Sequence, residues 1–301
     1  MTSHELRVVS RAPSAQAEMA SRSAELARER AEWRPWLAVL DATIQATADP
    51  AWEHAASVSL ATQRPQGAPG LAEAVVRLDP RLARDWTRRL LTLAARGGSP
   101  LGTANQLEPL ALLEAVADQE PGRLGELAAE AGADPEALVA LAPLLCTPLL
   151  HACARRVSPD AAWRHGYCPL CGAWPTLAEL RGLERARRLR CGRCGADWGF
   201  DPLRCVFCGV ADFKQLGSLV PEADPESRKV DTCSVCKGYV KALATLVAWP
   251  GPRLALEDLA TVELDLAALE RGFSRPGGTG YPLRLRLEPA APRRGLLGWR
   301  R

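Results

Sequence analysis

The chain has 301 residues, 47% of them apolar and 24% charged, which excludes a disordered polyelectrolyte and is enough to build a sizeable core. Lysine and arginine number 38 against 35 aspartates and glutamates, a net charge of +3, so the chain lacks the dense positive field of a typical nucleic-acid binder. The first thirty residues mix charges freely and hold no apolar run between a basic start and a small-residue cleavage site. No signal peptide is read there, and a cytoplasmic location is the expectation. In that reducing compartment ten cysteines are not a disulfide framework.

Up to about residue 165 the composition is rich in Ala, Leu, Arg and Glu and poor in β-branched runs, which predicts five or six helices packed as one bundle. Asp49-Pro50, Asp79-Pro80 and Asp134-Pro135 each suit an N-cap followed by a first helical residue that has no amide to leave unpaired. Arg96 to Pro100 and the pair Pro121-Gly122 read as loops. Ala137 to Ala154 contains no Asp, Glu, Lys or Arg and approaches membrane-spanning length. Pro143 and Pro148 interrupt it, so it is expected to be a buried helix broken at the prolines and not a membrane span. Cys146 and Cys153, in the same stretch, read as small core residues.

From Tyr167 to about Lys241 the chain turns to glycines, cysteines and short alternating stretches. Such a segment has little apolar surface to bury, and bound metal is expected to supply its stability, on the order of 10 kcal/mol per site. Eight cysteines form four pairs, Cys168/Cys171, Cys191/Cys194, Cys205/Cys208 and Cys233/Cys236, each with two residues between. That spacing lets both thiolates of one tight turn face a single ion while turn amides donate to sulfur. Gly172, Gly195 and Gly209 follow three of the pairs, at the point where the chain leaves the turn and a positive φ is often required.

Nineteen residues separate Cys171 from Cys191 and twenty-four separate Cys208 from Cys233, room for a two-stranded excursion in each case. The expected grouping is Cys168, Cys171, Cys191 and Cys194 at one mononuclear metal ion, and Cys205, Cys208, Cys233 and Cys236 at a second. An interleaved grouping, first pair with third and second with fourth, is the alternative. Four thiolates suit zinc and mononuclear iron alike. A coordinatively full site does not favour hydrolytic catalysis. His165, three residues before Cys168, is expected outside the ligand set. Arg181, Arg185, Arg187, Arg188, Arg190 and Arg193 gather near Trp174 and Trp198, a mixture that zinc ribbons use on nucleic acid, although a solvated hairpin or a protein-docking face fits it better.

After the cysteines, Leu259, Val262, Leu266, Leu269 and Phe273 recur at helical spacing with Glu257, Asp258, Glu263, Asp265 and Glu270 between them. This predicts an amphipathic helix with an acidic outer face. Gly277, Gly278 and Gly280 then read as a flexible turn, and Arg293 to Arg301 as a frayed tail. The chain carries no phosphate-binding loop, no dinucleotide fingerprint, no His-Glu-x-x-His and no Gly-x-Ser-x-Gly, so it is read as a protein other than an enzyme. The expected architecture is α+β. It comprises a helical domain over 1–165, two tandem rubredoxin-like or zinc-ribbon-like modules over 166–200 and 201–245, and a C-terminal helix with a tail over 246–301.

A helical first half, then Tyr167-Cys168-Pro169-x-Cys171-Gly172, three further pairs, Cys236-Lys237-Gly238-Tyr239-Val240-Lys241 and Glu257-Asp258-Leu259-Ala260-Thr261-Val262-Glu263-Leu264-Asp265 together resemble the formate dehydrogenase accessory protein FdhE family. The resemblance implies a cytoplasmic chaperone or assembly factor that binds the catalytic subunit of a respiratory formate dehydrogenase before its export. It implies iron over zinc in the two sites, and no nucleic-acid partner. A zinc-ribbon nucleic-acid module and a rubredoxin-like electron carrier are the alternatives.

Overall fold

The computed structural model describes residues 14–101 and 106–291; the arginine-rich tail from Arg293 lies outside them. The first half is built on α1 (Ala15–Glu29), α2 (Arg34–Ala48), α3 (Ala51–Ala55), α4 (Pro80–Arg96), α5 (Pro109–Asp118), α6 (Pro121–Glu130) and α7 (Pro135–Ala154). Asp79 and Asp134 cap α4 and α7 as the sequence predicts, accepting from the amides of Arg81 at 2.8 Å and Ala137 at 2.7 Å. Asp49 bonds the Ala51 amide at 2.8 Å, while Pro50 takes the N-cap position of α3. Pro121-Gly122 is not a loop. Pro121 opens α6, where its missing amide has no partner to lose.

Two strands interrupt the helices, β1 (Ala56–Ser59) and β2 (Val75–Leu78), paired antiparallel. They are four residues each, too short for periodicity to distinguish from loop.

Helix α7 runs unbroken through Pro143 and Pro148, against expectation. Each internal proline costs about 3 kcal/mol. Leu138, Leu141, Leu145, Leu149 and Leu150 are all buried, at about 2 kcal/mol apiece, so packing outweighs the prolines. The Thr147 hydroxyl donates to the Pro143 carbonyl at 2.8 Å. Among the described residues α7 is the one helix long and apolar enough to cross a membrane, and two thirds of its apolar window is buried inside the protein.

The second half is organised on a six-stranded sheet ordered β5-β4-β3-β8-β7-β6. Its strands are β3 (Leu177–Arg181), β4 (Ala186–Arg190), β5 (Asp197–Gly199), β6 (Leu216–Leu219), β7 (Arg228–Cys233) and β8 (Tyr239–Thr245). All neighbours are antiparallel except the central pair, where β3 lies parallel to β8 from Ala178 opposite Ala242 to Arg181 opposite Thr245. Each cysteine module contributes three strands, and that parallel seam fuses them. Because β3 and β8 both leave a cysteine turn and run the same way, both cysteine clusters sit at one end of the sheet.

The C-terminal region departs from its predicted pattern. Two helices, α8 (Arg253–Ala260) and α9 (Val262–Glu270), replace one, broken at Thr261. Leu266 and Leu269, expected on the buried face, are exposed. Glu263 and Glu270 face outward as expected, but Asp258 and Asp265 turn inward, each 2.7 Å from the ammonium of the fully buried Lys241. An uncompensated buried cation costs more than two exposed leucines, which sets the facing of the helices. Finally β9 (Arg286–Pro289) returns to the first half and pairs parallel with β2, so the last strand of the described chain completes the small sheet that β1 and β2 begin.

The main core runs from α2 and α4 through α5 and α7 into the first cysteine module, where Cys168, Cys171, Cys191 and Cys194 are themselves core residues. Apolar burial therefore supports that module, contrary to the expectation that metal alone must. A second cluster joins Leu177, Val230, Tyr239 and Leu243 of the sheet to Leu254, Leu264 and Ala268 of α8 and α9.

Candidate metal centres

All four cysteine pairs fold into the same turn. The first cysteine of each pair donates its amide to the carbonyl five residues on: Cys168 to Ala173, Cys191 to Ala196, Cys205 to Val210 and Cys233 to Gly238, at 2.8–3.0 Å. The residue after each pair has a left-handed φ, Gly172 at 70°, Gly195 at 77°, Gly209 at 74° and Lys237 at 58°. The fourth turn thus places a lysine where the others have glycine, in a region that L-residues enter at a cost. Gly195 is constrained twice, since a Cβ there would meet the His151 ring at 2.6 Å.

The structure groups the eight sulfurs as Cys168, Cys171, Cys191 and Cys194, and as Cys205, Cys208, Cys233 and Cys236; the interleaved grouping is excluded. Cys168 and Cys194 sulfurs lie 3.5 Å apart, as do those of Cys171 and Cys191. In the second cluster Cys205 to Cys236 and Cys208 to Cys233 are both 3.7 Å. A disulfide would hold its sulfurs at about 2.0 Å. Four thiolates about 2.3 Å from a central ion stand about 3.8 Å apart along each edge of the tetrahedron, and the observed spacing matches that.

Amides point at sulfur in both clusters: Leu170 and Cys171 to Cys168 at 3.4 and 3.5 Å, Phe207 to Cys205 and Gly238 to Cys236 at 3.4 Å. Burial drives the Cys168 thiol well up, whereas hydrogen bonding from Cys168 and its neighbours drives Cys171 well down. Burial likewise pushes Cys205 up to about 12. Four thiolates at this spacing would repel one another without a cation among them. The donor set therefore fits a tetrahedral thiophilic ion in each cluster, and the structure leaves iron and zinc equal.

The two centres sit in different surroundings. The first is sealed in the main core. Arg193, inside its second turn, is buried and donates to the Val116 and Ala117 carbonyls at the end of α5, at 2.5 and 3.3 Å. Tyr281 and Thr279 bond the Gly172 carbonyl at 3.0 Å, so the glycine-rich turn read as flexible is fastened to the first centre. In the second centre Cys208 and Cys236 are exposed. Aromatic rings link the two, Tyr167 beside Cys168 meeting Trp174 at 6.2 Å and Trp174 meeting Phe207, between Cys205 and Cys208, at 5.3 Å.

His165 is exposed and stacks on Tyr167 at 4.9 Å, outside both clusters. Cys146 and Cys153 are buried core residues, each pushed up to about 12 by burial. The six arginines are internally engaged. Arg181 and Arg188 bind Asp197, Arg190 binds Glu179, Arg187 binds Asp231 and Arg185 binds Glu226, which leaves no array of free cations on that hairpin to follow a phosphate backbone. Sequence reasoning missed Arg193 as an anchor and His151 as the ring over Gly195; the Cys-Gly-Arg-Cys sequence was the one available signal for the former.

No protein-family model matches the chain. Among curated proteins it is similar to the Protein FdhE homolog of Aquifex aeolicus, 33% identical over 133 residues, 42% of this chain and 45% of that protein. It is also similar to the Protein FdhE homolog of Stutzerimonas stutzeri, 36% identical over 111 residues, 36% of this chain and 35% of that protein. The match thus spans less than half the length of these relatives. In fold the chain resembles the crystal structure of the FdhE protein from Pseudomonas aeruginosa, with a TM-score of 0.59 and 20% identity, covering 91% of this chain and 98% of the other. The resemblance to the FdhE family read from the order of the cysteine motifs is borne out.

Proposed function

We propose, from the premise that this chain is of the FdhE family, that it is an accessory protein for the maturation of formate dehydrogenase. It acts in the cytoplasm, binds the immature catalytic subunit of the respiratory enzyme before export, and does not itself oxidise formate. The observation that carries the reading is the similarity to FdhE homologues together with a fold shared along nearly the whole chain. The eight paired cysteines hold two mononuclear ions, iron in preference to zinc, each closed to a fifth protein ligand and so suited to fixing a surface.

A groove of about 810 Å³ lies between the segment leaving α7 and the sheet edge at β5, lined by Trp163, Trp198, Phe200, Arg164 and Arg204. Among the described residues, edge strand β5 has one side free of a neighbouring strand. Such an edge can accept an extended segment of a client by adding a strand.

Affinity capture from the host grown under formate respiration, with mass spectrometry of the captured proteins, tests the role. Enrichment of a formate dehydrogenase catalytic subunit over a Cys-to-Ser control is expected. Capture of nucleic acid, or of an unrelated redox partner alone, overturns it in favour of one of the two alternatives. Salt-sensitive binding would mark the nucleic-acid case.

A further inference from the structure

The two thiolate centres are alike in donor set and unlike in enclosure. In the first, Cys168, Cys171 and Cys191 are 0% exposed and Cys194 is 3% exposed. Helices α5 and α7 and the turn at Thr279 pack around it, so no sulfur faces solvent. In the second, Cys208 and Cys236 face solvent, and their turns present Gly209, Ser234 and Val235, all exposed. The inner side of that centre is not sealed either. A cavity of about 230 Å³ lies against Cys205 and Cys233, bounded by Phe207, Gly238, Val240 and Arg187. An incoming ligand thus has access from outside, and the cavity gives the cluster room to rearrange within.

We infer that the second centre, at Cys205, Cys208, Cys233 and Cys236, is an exchangeable metal site, with Cys208 and Cys236 as its points of entry, while the first centre retains its ion as part of the core. The inference rests on the reading that both clusters hold metal. Exchange here is ligand substitution without redox change. A competing donor bonds the ion, a metal–sulfur bond breaks, and the freed thiolate takes a proton from water. Release from the first centre requires local opening of the main core, and the free energy of that opening adds to the barrier. The second module stays folded on losing its ion, because β8 remains paired to β3 across the seam and α8 and α9 still cover the sheet. Metal occupancy can therefore change at the exposed end of the sheet while the rest of the fold stands, a means of making the accessory role depend on the metal supply.

The test uses the full chain loaded with zinc and analysed for bound metal. A chromogenic chelator should withdraw one equivalent in a fast phase and the second at least about tenfold more slowly, a difference of about 1.4 kcal/mol in barrier. N-ethylmaleimide on the zinc-loaded protein, with peptides identified by mass spectrometry, should label Cys208 and Cys236 ahead of the four cysteines of the first centre. The double variant Cys208→Ser/Cys236→Ser should lose the fast phase, keep the slow equivalent and retain its far-ultraviolet circular dichroism. Release of two equivalents in a single phase, or labelling of Cys168 and Cys171 as early as Cys208, overturns the inference. The labelling arm stands even where the variant misfolds. Failure to load two equivalents overturns instead the two-ion reading beneath it.

Discussion

At Lys237 the fourth cysteine turn asks an L-residue to take the left-handed φ of 58° that glycine takes in the other three. That conformation costs roughly 1–2 kcal/mol, against which the lysine gains a position 5.9 Å over the Phe273 ring, worth about 0.5 kcal/mol at an exposed site. Lys237→Gly is therefore expected to stabilise the chain, by up to about 1 kcal/mol in urea denaturation. Lys241 is the opposite case. It is fully buried, bonded to the Asp258 and Thr261 carbonyls and to both carboxylates, with Arg275 and the Tyr239 hydroxyl closing the network. Lys241→Met leaves two inward-facing carboxylates short of a cation and should cost about 3–5 kcal/mol in the same measurement. Asp118 supplies a pH signature, since burial raises its carboxyl from 3.8 to about 6 even though it accepts the Leu285 amide at 2.8 Å. The folded state holds that proton more tightly than the unfolded state, so this group favours folding most below pH 3.8, and the benefit is lost as pH rises through about 6. Asp118→Asn keeps an acceptor for Leu285. It should exceed the wild type by about 1 kcal/mol at pH 8, after allowing for solvent screening of a half-buried group, and match it near pH 4, as read from unfolding midpoints across pH.

Among the elements, α7 shows packing overruling propensity. Pro143 is exposed, so replacing it opens no cavity, and an alanine would restore an amide for the Val139 carbonyl. Pro143→Ala should raise stability by about 1–2 kcal/mol, less than the full proline penalty because the present helix has already relaxed around the ring; thermal unfolding is the check. The same element shows what local reading can and cannot reach. Its start at Asp134-Pro135 and its burial were legible, because capping is local and eighteen uncharged residues need a core. Its continuity was not, because the compensating leucine contacts come from helices far away in sequence. In α8 and α9 the apolar spacing was legible but the facing was not. Lys241, on a strand, decides which side of those helices is inside, and periodicity within a helix carries no knowledge of a cation beyond it.

For the whole molecule, the return of β9 to β2 ties residues 282–289 to the helical half. Leu283 and Leu285 on that segment are fully buried in the main core. Leu285→Ala should therefore destabilise the first half of the chain by about 2–5 kcal/mol, seen as a shift in the unfolding transition of Trp52 and Trp86 fluorescence, although these tryptophans are some two hundred residues away. The sequence by itself carried the two four-cysteine donor sets and the resemblance to FdhE proteins. Four Cys-x-x-Cys turns are local structures whose donors, spacing and order are written in consecutive residues, and the same holds for the aspartate caps. Tertiary structure alone decided that the two modules share one sheet through β3 and β8, and that the last strand closes onto the first half. It also decided that one thiolate centre lies in the core while its twin stands at the surface. Those outcomes depend on contacts between segments remote in the chain, whose burial free energies no local window contains.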